Sequence, residues 1–268
     1  MLIENAANLG FAAGNNVGIR HLLEDEFDLN LLLDNDAVAE SQCLCELMRA
    51  AETHPAAAYG ATVYELAEPG RVWYAGGTID RLTLEARHET APPEVDDAAH
   101  STDFITGCGV MFRSEVLHSV GLLDPAFFAY YEDLDWCLRA CAFGAQLDFV
   151  PQARVRHEVS RTFLRIGGPA GNLPAFRWAQ SRPLVLYLAY RNRLLIVRKH
   201  ARGRLHLGLL VLRRLARAGL HAGLLSLVGK GRQAAAVARG TWDGLRLSGA
   251  PARVEPYFSM ISGAKRAA

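Results

Sequence analysis

The chain has 268 residues, half of them hydrophobic, which is enough to bury the core of one α/β domain with a tail. Its charge is uneven, because residues 1–150 carry 7 Lys+Arg against 25 Asp+Glu, whereas residues 191–268 carry 16 against 2. No apolar stretch approaches the roughly eighteen uncharged residues of a spanning helix. Five cysteines, an odd number without a secretory signal, exclude a disulfide framework and indicate a reducing cytosol.

The first predicted strand ends in acidic residues. Residues 29–33 form an apolar run of strand length, and Asp34, Asn35 and Asp36 follow. A continuous apolar run is typical of a buried parallel strand, and ligands in open α/β sheets bind beyond the carboxyl ends of the strands. Two carboxylates there suit a hard divalent cation such as Mg²⁺ or Mn²⁺. A simple turn explains the same residues, so this motif alone leaves both interpretations open.

Strands and helices alternate through the middle of the chain, and this alternation predicts an α/β fold. The predicted elements are a helix over 41–53, a strand over 56–64, a hairpin region over 72–87, a strand over 106–112, a helix over 114–121, a helix over 133–143 and a strand over 146–150.

A second acidic cluster follows a run of aromatic residues, where Glu132, Asp133 and Asp135 occupy three of four positions. A helix start explains part of it, because acids favour the positive end of the helix dipole and Asp135 can pair with Arg139 one turn later. Glu132 and Asp133 remain at the start of that helix. A carboxylate there can reach into a cleft as a general base, so a structural and a catalytic interpretation are both open.

The C-terminal segment alternates apolar and basic clusters at helical spacing from residue 183 to residue 249. Basic amphipathic helices lie in membrane interfaces and favour anionic lipid. The alternative is that these helices pack on the acidic body of the protein. Nucleic-acid binding is not predicted, because aromatic residues are scarce among these arginines and no binding motif is present.

Several motifs in order resemble glycosyltransferase family 2, especially its rhamnosyltransferase-like members. The matching segments are residues 8–19, 31–36, 106–113 and 120–128, the pair Glu132 and Asp133, His157, and residues 190–193. The resemblance covers roughly residues 2–200.

The resemblance implies a GT-A type, Rossmann-like mixed sheet flanked by helices in residues 1–182 and a basic amphipathic helical tail in residues 183–268. Members of the family usually begin with a strand, a helix and a second strand that precede the first strand found here. The resemblance therefore implies a domain that is truncated at its amino terminus, with an incomplete nucleotide pocket.

The resemblance also implies an inverting, metal-dependent transferase. It would move one sugar, such as rhamnose, from a dTDP- or UDP-linked donor to a hydroxyl of a cell-envelope glycan or lipid-linked acceptor. The implied setting is the cytoplasm at the inner face of the cell membrane, with peripheral membrane contact. Processive synthases of the family carry a QxxRW signature, and Pro174 replaces its glutamine here, which favours a non-processive enzyme.

Each implied role falls on a matching position of this sequence. Asp133 is the expected base with Glu132 in support, Asp36 and His157 are the expected ligands of Mg²⁺ or Mn²⁺, and Tyr131 and Trp136 are the expected acceptor contacts. Nucleotide-sugar contacts are expected from Asn8, Gly10, Asn16, Asp34, Gly107 and Arg161.

Two other functional classes are compatible with the same residues. An inactive or partial homologue would act as a membrane-associated interaction subunit. A metal-dependent phosphoryl-transfer enzyme or hydrolase would also use clustered acids.

Overall fold

The computed structural model describes residues 1–94, 98–158 and 182–246, which divide into two units. The first unit contains Met1–Pro125 and Glu132–Ser160, and the second contains Ala126–Tyr131 with Arg161–Ala268. The sequence predicted one boundary between residues 182 and 183. The structure differs in giving the short segment Ala126–Tyr131 to the second unit.

The first unit contains a mixed sheet, a separate hairpin and four helices among its described residues. The helices are α1 Gly10–Glu24, α2 Cys43–Thr53, α3 Ser114–Val120 and α4 Glu132–Ala142. The strands are β1 Leu29–Leu32, β2 Ala37–Ala39, β3 Ala58–Glu65, β4 Val72–Tyr74, β5 Gly77–Asp80, β6 Glu85–His88, β7 His100–Ser101, β8 Val110–Arg113 and β9 Leu147–His157. A short 3-10 turn, Pro125–Phe127, precedes α4.

The sheet has the strand order β1-β8-β3-β9-β2. In addition, β4 pairs with β3 and β7 pairs with β9. β8 is antiparallel to both β1 and β3, whereas β3 and β9 are parallel. Consequently β1, β3 and β9 run in the same direction, and their carboxyl ends meet at one edge of the sheet. The amino end of β8 lies at that same edge.

The predicted α/β class, a mixed sheet flanked by helices, is confirmed, with two local corrections. β1 pairs antiparallel with β8 and alternates between partly and fully buried residues, so it is not the buried parallel strand that the apolar run predicted. The strand predicted over 106–112 is β8, which begins only at Val110 because the backbone turns through Gly109, whose φ is +88°. A Cβ at Gly109 would also lie 3.1 Å from the Val155 side chain.

A buried ion pair anchors α4. The predicted pair of Asp135 and Arg139 is confirmed, with Arg139 Nε 2.9 Å from an Asp135 carboxylate oxygen and the Asp135 side chain fully buried. The remaining Arg139 nitrogens donate to the backbone carbonyls of Val120 and Leu122 at 2.7 Å. Trp136 Nε1 donates to the Gly121 carbonyl at 2.9 Å. The loop between α3 and α4 is therefore fastened to the buried face of α4.

The second unit contains three helices among its described residues, α5 Pro183–His200, α6 Arg204–Leu227 and α7 Gly231–Arg246. α5 and α7 approach closely because Gly240 and Gly244 face α5, where a Cβ at Gly244 would lie only 2.8 Å from the Arg191 carbonyl. Tyr187 donates a 2.9 Å hydrogen bond to Asp243 across this interface. None of the helices in the described ranges is long and apolar enough to cross a membrane.

The segment Ala126–Tyr131 belongs to the second unit because α5 binds its backbone. Phe128, Tyr130 and Tyr131 have positive φ angles of 65°, 68° and 74°, which residues other than glycine rarely adopt. The buried Asn192 donates through Nδ2 to the carbonyls of Phe127, Ala129 and Tyr130 at 2.8 to 2.9 Å. One amide thus satisfies three carbonyls of a strained turn.

We expect Asp135→Asn to destabilise the protein by about 3 kcal/mol, because the Arg139 guanidinium would lose its buried counter-charge. Urea-induced unfolding of the wild-type and variant proteins measures this difference in free energy. Glu46→Gln is the matched control, since Glu46 and Arg49 also pair at 2.9 Å along one helix but Arg49 is mostly exposed. The control should cost less than about 1 kcal/mol. Equal losses in the two variants would contradict the structural role of the buried pair.

Candidate active site

The candidate site lies at the sheet edge where β1 and β9 end and β8 begins. Asp34 and Asp36 follow β1, and His157 is the last residue of β9. Gly107 and Cys108 lie in the loop just before β8. The strand directions therefore bring together residues that are more than a hundred positions apart in the sequence.

His157 contacts both carboxylates of the Asp34 to Asp36 turn. Its Nε2 lies 3.0 Å from Asp36 Oδ1 and 3.4 Å from Asp34 Oδ2. Neighbouring ligands of an octahedral Mg²⁺ stand about 3.0 Å apart, because each lies about 2.1 Å from the ion at a right angle to the next. The distances from His157 to each carboxylate are thus in the range of neighbouring cation ligands.

Cys108 is a member of this cluster that the sequence did not reveal. Ligand atoms of Asp34, Cys108 and His157 all lie within 4.8 Å of one another. Burial raises the pKa of the Cys108 thiol far above its ordinary value, and the charges of Asp34 and Asp36 raise it further. The thiol is hydrogen bonded to Asp34, so its sulfur lies beside a carboxylate of the cluster.

Asp34 is a carboxylate whose pKa is raised by its surroundings. Burial raises its pKa to about 6, an effect that His157 partly offsets and that Asp36 and Asp133 reinforce. A bound cation would act in the opposite sense, because a positive charge favours the ionised carboxylate. The turn therefore holds negative charge that is costly without a cation.

Asp133 is held at the first turn of α4 by backbone donors. The Gly107 N–H donates to Oδ2 at 3.2 Å, and the Leu134 N–H donates to Oδ1 at 2.8 Å. Burial raises the pKa of Asp133 and these donors lower it, while part of its surface stays exposed. Gly107 thereby joins the acidic helix start to the loop that carries Cys108.

Glu132 differs sharply from its neighbour. Its side chain is buried, and Oε2 has no hydrogen-bond partner among the residues that the structure describes. Burial raises the pKa of Glu132 well above its ordinary value, and the adjacent Asp133 raises it further. Burial therefore favours the neutral form of Glu132, whereas the backbone donors favour the ionised form of Asp133.

A family model described as glycosyltransferase-like family 2 matches residues 2–166, which is more than half of the chain. The chain belongs to this family. The resemblance stated from the sequence motifs is thus confirmed.

Two curated relatives are transferases of the same kind. The dTDP-rhamnosyl transferase RfbF of Shigella flexneri is 24% identical over 193 residues, which cover 72% of this chain and 61% of the relative. A low-salt glycan biosynthesis hexosyltransferase, Agl10 of Haloferax volcanii, is 28% identical over 151 residues, or 52% of this chain and 45% of the relative. The chain therefore spans about half to three-fifths of the length of these relatives.

Among solved structures, the chain is similar to GalNAc-T7 with UDP, GalNAc and Mn²⁺. The sequence identity is 15% and the TM-score is 0.46, with 58% of this chain and 31% of the other covered.

Two of the predicted family-2 site residues are buried. Asn16 donates to the Leu123 carbonyl at 2.7 Å and accepts from the Leu123 N–H at 3.1 Å, so its amide is fully used inside the protein. Trp136 is buried edge-on against Phe112 and donates to Gly121. The nucleotide-sugar role of Asn16 and the acceptor role of Trp136 stay predictions, and in this structure both side chains make hydrogen bonds inside the protein.

The remaining predicted contacts are distributed as follows. Asn8 and Gly10 lie at the accessible start of α1, where Asn8 Oδ1 accepts from the Gly10 N–H at 2.9 Å. Tyr131 belongs to the second unit, where its hydroxyl accepts from Arg193 Nε. Arg161 lies outside the described residues.

We expect Glu132→Gln to gain stability over wild type as the pH rises. The pKa of Glu132 is raised in the folded state, so the folded protein binds this proton more tightly than the unfolded chain, whose glutamate titrates near 4.5. Wild-type stability should therefore fall relative to the amide variant from about pH 5 upward. The total loss is about 1.4 kcal/mol for each pH unit by which folding raises the pKa of Glu132. Melting temperatures of both proteins in a chelating buffer, measured between about pH 5 and 9, check this.

Glu115→Gln is the control for this series, because Glu115 is exposed on α3. Its difference from wild type should be similar at every pH. If the curves of melting temperature against pH run parallel for Glu132→Gln and wild type, burial does not raise the pKa of Glu132.

Proposed function

We propose that this chain is an inverting glycosyltransferase that moves one sugar from a nucleotide-diphosphate donor to a hydroxyl of a glycan or lipid-linked acceptor. The observation that carries the proposal is the hydrogen bond from the Gly107 N–H to Asp133, because the next residue, Cys108, groups with ligand atoms of Asp34 and His157. This geometry supports a proton acceptor beside a set of metal-ligating atoms. Membership of family 2 supports the same reaction class.

Asp34, Asp36 and His157 would hold a divalent cation, Mg²⁺ or Mn²⁺. The cation would supply charge neutralisation for the leaving diphosphate, where negative charge builds up in the transition state. The sequence assigned Asp34 either to the donor ribose or to the metal through a water molecule, and its 3.4 Å distance to His157 supports a role at the metal. Cys108 would hold the Asp34 carboxylate in place through its hydrogen bond.

Asp133 would take the proton from the acceptor hydroxyl as that oxygen attacks the anomeric carbon. Its two backbone donors fix the carboxylate without neutralising it, and its exposed surface allows a substrate to approach. A single displacement from the face opposite the leaving group inverts the anomeric configuration. Glu132, protonated and buried behind Asp133, would keep a second negative charge away from the base.

The donor proposed first is a dTDP-sugar, and rhamnose is the proposed sugar. The relative RfbF is named as a dTDP-rhamnosyl transferase, which supports this choice over a UDP-sugar. Asn8, Gly10, Gly107 and Arg161 are the proposed nucleotide-sugar contacts, and Tyr131 is the proposed acceptor contact. The proposed setting is the cytoplasmic face of the cell membrane, where lipid-linked acceptors are available.

We expect Asp133→Asn to lower the transfer rate by about a thousandfold, because an amide cannot accept the proton. Donor affinity should stay within about twofold of wild type, since the substitution keeps shape and affects only the acceptor step. Initial rates with dTDP-rhamnose and titration of donor binding measure the two effects separately. Asp25→Asn, on an exposed carboxylate at the end of α1, is the control and should retain full activity. Full turnover by Asp133→Asn would exclude Asp133 as the base.

We expect Asp36→Ala to weaken Mn²⁺-dependent donor binding by about tenfold or more, because one ligand of the cation is lost. The measurement is the thermal shift that dTDP-rhamnose or UDP-sugars cause with and without Mn²⁺. Glu40→Ala removes a nearby carboxylate that pairs with Arg156, and it should leave the shift unchanged. A wild-type protein that shows no Mn²⁺-dependent shift with any nucleotide sugar would instead favour an inactive homologue.

A further inference from the structure

The helix α6 is apolar on two opposite faces. Its inner face packs through Leu210, Ala218 and Leu225, which are buried. Its outer face carries a second row of leucines spaced by four, three, eight and seven residues, which places them on one side of the helix. This outer leucine stripe consists of Leu205, Leu209, Leu212, Leu220 and Leu227, with exposed fractions of 78%, 59%, 66%, 68% and 84%.

An exposed stripe of this kind is unusual on a helix that already has a buried face. A surface helix of a globular protein places polar residues opposite its core face. Single exposed leucines need no explanation, but a continuous apolar row marks a surface that another apolar phase covers. The stripe therefore indicates contact with something apolar.

The charges around the stripe are almost all positive. Arg213 and Arg217 are exposed on α6, adjacent to Leu212 and within one turn of Leu220. Residues 182–246 contain only one acidic residue, Asp243, which is buried and hydrogen bonded to Tyr187. An apolar row bordered by arginines is complementary to a bilayer with anionic headgroups.

Further arginines gather on the inner side of the same unit. Arg193, Arg214 and Arg217 line a cavity too small for a phosphate group, together with Tyr190 and Thr241. On α6 itself, Arg213 and Arg217 are exposed. Guanidinium groups bind phosphate through paired hydrogen bonds, so these two exposed arginines suit the phosphates of lipid headgroups.

We propose that α6 lies in the interface of an anionic bilayer, with the outer leucine stripe among the acyl chains and Arg217 in contact with lipid phosphate. A second copy of the chain is a poorer occupant, because pairing two stripes would bring their arginines together without acidic partners. The inference deepens the proposed function, since it assigns the contact with the membrane that carries a lipid-linked acceptor. It does not depend on the chemistry at Asp133.

Flotation with vesicles tests this inference directly. Wild-type protein is mixed with phosphatidylcholine vesicles, or with vesicles that also contain phosphatidylglycerol, and the fraction that floats is measured. We expect binding to the anionic vesicles alone. Free inorganic phosphate should compete only weakly if the lipid headgroup is the ligand. If phosphate releases the protein completely while variants of the leucine stripe still float like wild type, the bilayer contact is overturned.

The variant Leu209→Glu/Leu220→Glu should reduce the partition to anionic vesicles by about tenfold or more. The reason is that two charged groups replace leucine side chains that lie among the acyl chains when the helix is bound. Leu82→Glu is the matched control, since Leu82 is 74% exposed in the first unit, and it should float like wild type. Far-UV circular dichroism and melting temperature must agree between the variants. Unchanged flotation of a folded stripe variant would overturn the proposal.

Light scattering tests the competing occupant of the stripe, which is a second copy of the chain. A wild-type dimer that the stripe variant converts to a monomer would assign the stripe to self-association and overturn the membrane proposal. Mn²⁺-dependent donor binding is measured on the same samples. If donor binding fails while flotation succeeds, the proposed transferase function is wrong and the membrane surface stands, and the reverse result overturns only the membrane surface.

Discussion

The buried pairing of Asp135 with Arg139 is the interaction on which the arrangement of the first unit depends. A carboxylate with no exposed surface is tolerable only with a counter-charge in contact, and Arg139 provides it while also donating to the carbonyls of Val120 and Leu122. Trp136 binds the same loop at Gly121. Rotation of α4 would break several of these contacts at once, so the first turn of the helix has one position.

The functional acids lie on that fixed first turn, and they experience the opposite electrostatic situation. Glu132, Asp133 and Asp34 interact unfavourably with one another, and burial raises the pKa of each. Backbone donors from Gly107 and Leu134 reduce this cost at Asp133 alone. The same helix therefore combines a paired carboxylate that stabilises the fold with unpaired carboxylates that the fold must tolerate, a division that is common where strain serves function.

Local patterns in the sequence were sufficient for some features and insufficient for others. The helical spacing of Asp135 and Arg139 predicted their pair, because both partners lie one turn apart on the same element. The apolar run before Asp34 predicted a strand and the position of the acids at its end. It did not predict the strand partner, since pairing with β8 depends on residues about eighty positions later.

The contacts of individual site residues have a similar origin. Asn16 and Trp136 carry side chains that often bind ligands, but their burial against Leu123 and Phe112 results from packing between distant elements. Cys108 was missed because its role arises from proximity to Asp34 and His157, which no local spacing reveals. Residue type identified the chemistry of the acidic site, whereas only three-dimensional contacts decided which neighbours take part.

The segment Ala126–Tyr131 gives the two units an interleaved connection. The chain leaves the first unit after Pro125, supplies six residues to the second unit and returns at Glu132, and Asn192 binds three carbonyls of that segment. No single cut in the polypeptide separates the units, because one cut always removes Asn192 from the turn that it binds or divides the first unit. The α5 to α7 helices therefore cannot be exchanged between relatives as an independent module by one recombination event, and must be inherited together with the turn that precedes the acidic pair.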